Sequence, residues 1–454
     1  MSKYIVEHKK PNYKIFAWLS ALLMTFNVFH PNLLLILFKM SSVTFNLYML
    51  ALSLIFLFLY AYFEKKLNPD MLNFNIIEFI MIATFFVVVG TSVLNFANNF
   101  SYIVRYASLI IVIFFMKNDA ELVKIVFYSL MIVMMLHLGA TLFFYFDKNF
   151  YIANILPTFQ YAQRTHLYYQ VMINNFATGL ANNFSLNGMY MSITSVLAFA
   201  YMHKNKITFK SFMFFAISMT ALFMTGKRGA LLFTVFALLL TYMITNKESF
   251  LYKLGLLIPI GLLICISLYV ISFYVEGVSA TLERTFNNAD SDVSNGRFKL
   301  YGIAWGMFVE NPIFGIGWRE YADQVSVLYY GDGYFRDAHN VFLQLLAETG
   351  IFGFTIFLTL FSLVIIRTIN FILMSKKDET ILPKTIWMLL VFSLCFQVYF
   401  LGYCMTGNPL YDISTMYAYF FCVGFTSYVD ANYKEKLEAI FEKPKVVSKY
   451  IRRP

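Results

Sequence analysis

The sequence predicts an all-α integral membrane protein with about twelve transmembrane helices and a large extracytoplasmic loop carrying short helices. Three observations predict it. Of the 454 residues, 59% are hydrophobic and only 13% are charged, a balance that excludes an ordinary soluble domain of this length. Apolar stretches near the roughly 20 residues needed to cross a bilayer recur along the chain. Lys and Arg also alternate between connections, with 24 of the 35 on one side and 11 on the other. That asymmetry marks the cytoplasmic side.

The spans are expected at 14–37, 43–63, 76–95, 100–116, 121–146, 185–203, 209–226, 228–245, 251–274, 339–368, 384–404 and 411–429. The first follows a basic N-terminus but lacks a small-residue cleavage site, so it reads as a retained span and not a signal peptide. An even number of spans puts both termini on one side. The inner connections 64–75, 117–120, 204–208, 246–250 and 369–383 carry Lys65, Lys66, Lys204, Lys206, Lys376 and Lys377, and the basic tail 430–454 carries Arg452 and Arg453. Both termini are therefore placed in the cytoplasm. The net charge of +10 follows from this layout, and nucleic acid is not expected as a partner. The whole chain, 1–454, reads as one polytopic domain in the lipid bilayer, without an internal repeat. Cys265, Cys395, Cys404 and Cys422 all fall in or beside apolar segments. They have neither metal-ligand spacing nor a disulfide framework.

Two long outer segments, 147–184 and 275–338, mix aromatics with polar residues and are expected to fold over the membrane mouth. In the second, Arg297-Phe298-Lys299-Leu300-Tyr301-Gly302-Ile303-Ala304-Trp305 has the pattern of a helix lying along the interface. The rigid turn Asn311-Pro312-Ile313-Phe314-Gly315-Ile316-Gly317-Trp318 follows it, punctuated by Pro and Gly. The triplet Asp290-Ser291-Asp292 sits among Asn and Ser and reads as a solvated loop. No metal site and no cofactor are expected.

The next span opens on a polar seam, Asp337-Ala338-His339-Asn340. Asp337 is expected as an N-cap, which would place His339 in the first helical turn. Neutral imidazole there is suited to proton transfer. Asn340, Gln344 and Glu348 recur every fourth residue and draw a polar stripe that must face the bundle interior. Glu348 lies about 13 Å below His339 at 1.5 Å per residue. It joins the expected binding set by holding an arginine or ordering the helix.

Cations gather at the same mouth. Lys227 and Arg228 form a short outer turn, Arg297 opens the interfacial helix, and Arg319 follows the Pro-Gly turn. Arg228 fits either a side chain reaching back to the interface or a fixed cation whose planar fork holds two phosphate oxygens. Arginines beside a histidine suit a lipid-linked diphosphate. They would bind it and stabilise charge on the departing group, in the place of a metal ion. His339 would take the proton of an attacking sugar hydroxyl. Tyr301, Trp305 and Trp318 would stack on sugar or isoprenoid. A single displacement of this kind inverts the anomeric carbon.

These runs, with Leu346-Ala347-Glu348-Thr349-Gly350-Ile351-Phe352-Gly353 and Gly226-Lys227-Arg228-Gly229-Ala230, resemble the O-antigen polymerase and O-antigen ligase superfamily over about 225–355. Lys227 stands where that family's turn has serine. The resemblance implies a GT-C-like enzyme on the outer face of a bacterial cytoplasmic membrane, with undecaprenyl-diphosphate-linked oligosaccharides as donor and acceptor. It implies diphosphate-binding roles for Arg228 and Arg297 and a catalytic role for His339. Polymerisation of repeat units into O-antigen or capsule is the favoured activity, and ligation of a finished glycan to another acceptor is the alternative. A lipid-linked oligosaccharide flippase is the reading of another class. A chain-length-regulating co-polymerase and a separate flippase are the protein partners expected of a polymerase.

Overall fold

The structure, a computed structural model, describes residues 12–29, 42–67, 73–93, 96–159, 161–204, 208–249, 251–253, 296–331, 335–378 and 380–442, with 255, 269 and 273 standing alone. Most of the expected span 251–274, the Asp290-Ser291-Asp292 triplet and the end of the tail lie outside these residues.

Among the described residues the regular structure is helical. The long helices are α1 (Lys14–Phe29), α2 (Ser42–Phe63), α3 (Ile76–Thr91), α4 (Phe96–Met116) and α5 (Ala120–Phe146). A run of short turns over Lys148–Thr158 leads to α6 (Tyr161–Met172), then α7 (Phe184–Lys204), α8 (Phe209–Met224) and α9 (Arg228–Thr245). After the gap come α10 (Arg297–Glu310), α11 (Glu320–Gln324), α12 (Val341–Ser375), α13 (Lys384–Tyr403) and α14 (Ile413–Glu442). Six of these helices are long and apolar enough to cross a membrane: α2, α4, α5, α9, α12 and α13. Helices α1, α3 and α8 are apolar but shorter.

Helices α7 and α14 are long but less apolar, and their positions explain it. Most of α7, and α14 as far as Val429, are buried among other helices, so polar side chains there are enclosed by protein. Ser192, Thr194 and Ser195 of α7 are fully buried, and each hydroxyl donates to the carbonyl four residues earlier, at 2.8 Å. Hydroxyls satisfied within their own helix cost little at depth. Helix α13 is the centre of the bundle, packed on α7, α9, α12 and α14, with Phe392, Cys395, Phe396 and Phe400 wholly buried.

The ends of α2 and α4 and the starts of α3 and α5 meet at one level. Lys117 pairs with Glu78 at 3.0 Å, and Ser427 of α14 donates to the other Glu78 oxygen at 2.6 Å. Lys66 and Tyr60 both reach Asp119. At the other level, the two loop segments build small cores of their own. Phe144, Tyr151, Phe159 and Leu167 form one. Leu300, Ile303, Met307, Tyr321 and Val325 form the other, against Ala347 of α12.

Helix α12 is broken at Gly350, whose φ of 62° and ψ of −171° are non-helical. The Pro312–Gly317 turn fills the break. Ile316 and Gly317 N–H donate to the carbonyls of Ala347 and Glu348, both at 2.9 Å, while Ile351 and Phe352 N–H donate to Pro312 and Ile313 carbonyls at 2.9 and 3.3 Å. A Cβ on Gly350 would sit 2.3 Å from the Ile313 backbone, and one on Gly315 would sit 2.3 Å from that of Glu348. Broken backbone at depth is tolerated where protein re-satisfies it. The Pro-Gly turn and the Glu-Thr-Gly of α12 thus serve each other.

Candidate functional site

The mouth is assembled where α9 begins, α13 ends and the α10 loop returns to α12. Lys227 is the N-cap residue of α9 and makes no side-chain cap. Its Cβ packs on Gly188 of α7, where a second Cβ would lie 2.7 Å away, and its ammonium stands 5.9 Å from the Phe184 ring. Arg228 is the first residue of α9 and is half-buried. Gly229 presents bare backbone to Tyr403 and Thr406, 3.4 and 3.5 Å from where its Cβ would be. The start of α9 is therefore held against the end of α13.

Asp337 is not the N-cap of α12. Asn340 is, accepting the Leu343 N–H at 3.1 Å, because Asp337 is drawn off toward Gln344. His339 consequently lies one residue before the cap, not in the first turn, with a φ of 54°. Left-handed backbone at a non-glycine residue is uncommon and collects at functional sites. Two contacts hold it there. Val341 N–H donates to the Cys404 carbonyl at 2.8 Å, and the Tyr301 hydroxyl approaches the His339 carbonyl at 3.4 Å.

The His339 ring keeps an exposed edge inside this crowded rim. Its pKa lies below the usual 6.5, first through loss of solvent and then through the positive charges of Arg297 and Lys227. Asp337 opposes them. The cations of two separate elements thus bear on one imidazole.

The polar stripe of α12 divides into roles. Asn340 caps. Gln344 accepts from the Ala338 N–H at 3.0 Å, is reached by Asn408, and donates to Glu348 at 3.0 Å. Glu348 also accepts from the Tyr411 hydroxyl at 2.7 Å. It is fully buried, so it orders the helix and the Pro-Gly turn and has no surface for substrate. Trp318 is likewise buried, stacked between Phe357 at 5.6 Å and Tyr411 at 5.0 Å. It cannot stack on a sugar or isoprenoid. Arg319 is exposed but lies over Tyr102 of α4 at 5.2 Å, beside Arg105, away from the His339 group. Trp305 occupies the exposed face of α10, about 12 Å along that helix from Arg297.

Reasoning from sequence missed the connection after α13. Tyr403 and Thr406 flank Gly229, and the Thr406 hydroxyl is buried without a protein partner. The signal was there in Thr406-Gly407-Asn408-Pro409, a turn sequence between two spans on the same side as the histidine. Among the described residues, no group of three His, Cys, Asp or Glu side chains converges in the manner of a metal site.

No curated protein matches the chain. Residues 213–358, about a third of its length and inclusive of Lys227, Arg228, Arg297, His339 and Glu348, match the family model described as O-antigen ligase, so this part of a many-helix membrane protein is similar to that family.

Proposed function

We propose that the protein transfers a glycan from a lipid diphosphate to a sugar hydroxyl at the His339 mouth, on the outer face of a bacterial cytoplasmic membrane. One observation carries the reading: an imidazole whose pKa is lowered first by loss of solvent and then by the positive charges of Arg297 and Lys227. The acceptor hydroxyl gives its proton to His339 as its oxygen bonds to the anomeric carbon. The bond to the diphosphate oxygen breaks on the opposite face, and its electron pair leaves with the diphosphate. Arg228, Arg297 and Lys227 receive that growing negative charge. Tyr301 steadies the His339 backbone, and Trp305 offers an exposed ring to the lipid or glycan.

With undecaprenyl-diphosphate repeat units as both donor and acceptor, the product is a polymer, O-antigen or capsule. The family match, described as O-antigen ligase, supports a second reading in which the finished glycan moves to another acceptor. Purified protein in liposomes with a lipid-linked repeat unit separates them. A ladder of repeat multiples, lost in His339→Ala, means polymerase. Transfer only after an acceptor is added means ligase. No transfer with either, from folded protein, would contradict both. Transfer is expected to continue in EDTA, and a loss restored by one divalent ion would contradict the charge role given to the arginines.

A further inference from the structure

A second site lies at the far end of α9. That helix runs 18 residues from Arg228 to Thr245, about 27 Å at 1.5 Å per residue, close to the ~30 Å of a bilayer core. Where it ends, beside the last turn of α12 and the first of α13, a cavity of about 440 Å³ opens. Its walls include Asn246, Lys247, Ser375, Lys376, Lys384 and Trp387.

Two lysines close the C-terminus of α9. Lys376 donates to the Ile244 and Asn246 carbonyls, both at 2.7 Å. Lys253 donates to the Met243 and Asn246 carbonyls at 2.9 and 2.8 Å. An ammonium carries three donors, so Lys376, which lines the cavity, keeps one more. Capping explains where these two sit. Lys247 and Lys384 add two further cations to the rim, and no described residue lining the cavity is a carboxylate. The crowding is felt: the Lys376 pKa lies below its usual 10.5 through burial and the charges of Lys253 and Lys247.

We infer that this cavity binds a phosphate anion at the membrane level opposite the His339 mouth. Three ammonium groups line it, Lys247, Lys376 and Lys384, the second preset by a helix end, and they answer the charge of a phosphate better than any neutral ligand. Leu382 and the half-buried Trp387 supply an apolar wall suited to the boundary between headgroup and acyl chain. The phosphate comes either from an anionic phospholipid headgroup, as at other basic pockets between membrane helices, or from a soluble phosphate compound.

The test reads Trp387 fluorescence in the full-length protein in mixed micelles, as the difference from Trp387→Phe. Brominated phosphatidylglycerol, brominated phosphatidylcholine and inorganic phosphate are the probes. Quenching by the phosphatidylglycerol at roughly tenfold lower mole fraction than by the phosphatidylcholine, abolished in Lys247→Gln/Lys384→Gln and kept in Lys247→Arg/Lys384→Arg, assigns the site to a lipid headgroup. A millimolar response to phosphate, with the same dependence on the lysines and no preference between lipids, assigns it to a soluble compound. Responses to lipid and phosphate that survive the Gln substitutions, or no response to either, would overturn the inference. The two exposed lysines are replaced without touching the core, and size-exclusion behaviour verifies the fold.

Discussion

His339 stands before its helix with its backbone in the left-handed region, within the field of Arg297 and Lys227 and with its carbonyl facing Tyr301. Removing the imidazole in His339→Ala should lower the transfer rate about 10²–10⁴-fold, the usual worth of a positioned acid–base group, with little change in folded yield. Arg228→Lys keeps the charge but loses the two-pronged grip on phosphate. It should cost at least tenfold in kcat/KM, measured with the lipid-linked donor, whereas a residue that only reaches back to the interface would cost almost nothing. His339 and the cations were legible because charged groups at a membrane boundary violate a strong prior. The capping residue was not. Asp337 and Asn340 are both good caps, and only the contact of Asp337 with Gln344 decides between them. Trp318 was read as a substrate platform for a similar reason: an aromatic in a loop suits stacking and burial alike, and its Phe357 and Tyr411 partners are distant in sequence.

Helix α12 shows what a pattern conveys and what it hides. Its start was legible from the polar seam, and its apolar length from composition. The break was not, because a glycine in an apolar run equally suits close helix packing. Its cause is the Pro312–Gly317 turn, about 35 residues earlier in the chain and docked on the freed backbone groups. Gly350→Ala joins a strained φ to a clash with backbone that has no room to move. It should cost about 3 kcal/mol and lower the unfolding temperature in detergent, with activity falling along with folded yield. An unchanged melting point would contradict the break. Short α11 and the turns over Lys148–Thr158 were illegible as elements because their order comes from small cores formed with α12 and α5.

Across the whole molecule, an all-helical membrane architecture was legible from composition, because apolar excess on this scale has few other outlets. Among the described residues six helices meet both the length and the apolarity of a span, against twelve expected along the chain. The shortfall lies in α7 and α14, which are less apolar and largely buried, in α1, α3 and α8, which are shorter, and in 251–274, most of which lies outside the described residues. The Lys117–Glu78 pair binds α4 to α3, with Ser427 of α14 completing it. Lys117→Met leaves a buried carboxylate uncompensated and should destabilise the fold by about 3–5 kcal/mol, read by thermal unfolding in detergent. What unites these elements is the mouth at which α9, α12 and α13 converge on His339. The pH dependence of glycan transfer tests that convergence most directly. Proton acceptance requires neutral imidazole, so the rate should rise with pH along a limb whose midpoint lies below 6.5. Lys227→Gln, by removing a positive charge, should move the midpoint up, and Asp337→Asn, by removing a negative one, should move it down. A limb indifferent to both substitutions, or one that persists in His339→Ala, would contradict the account.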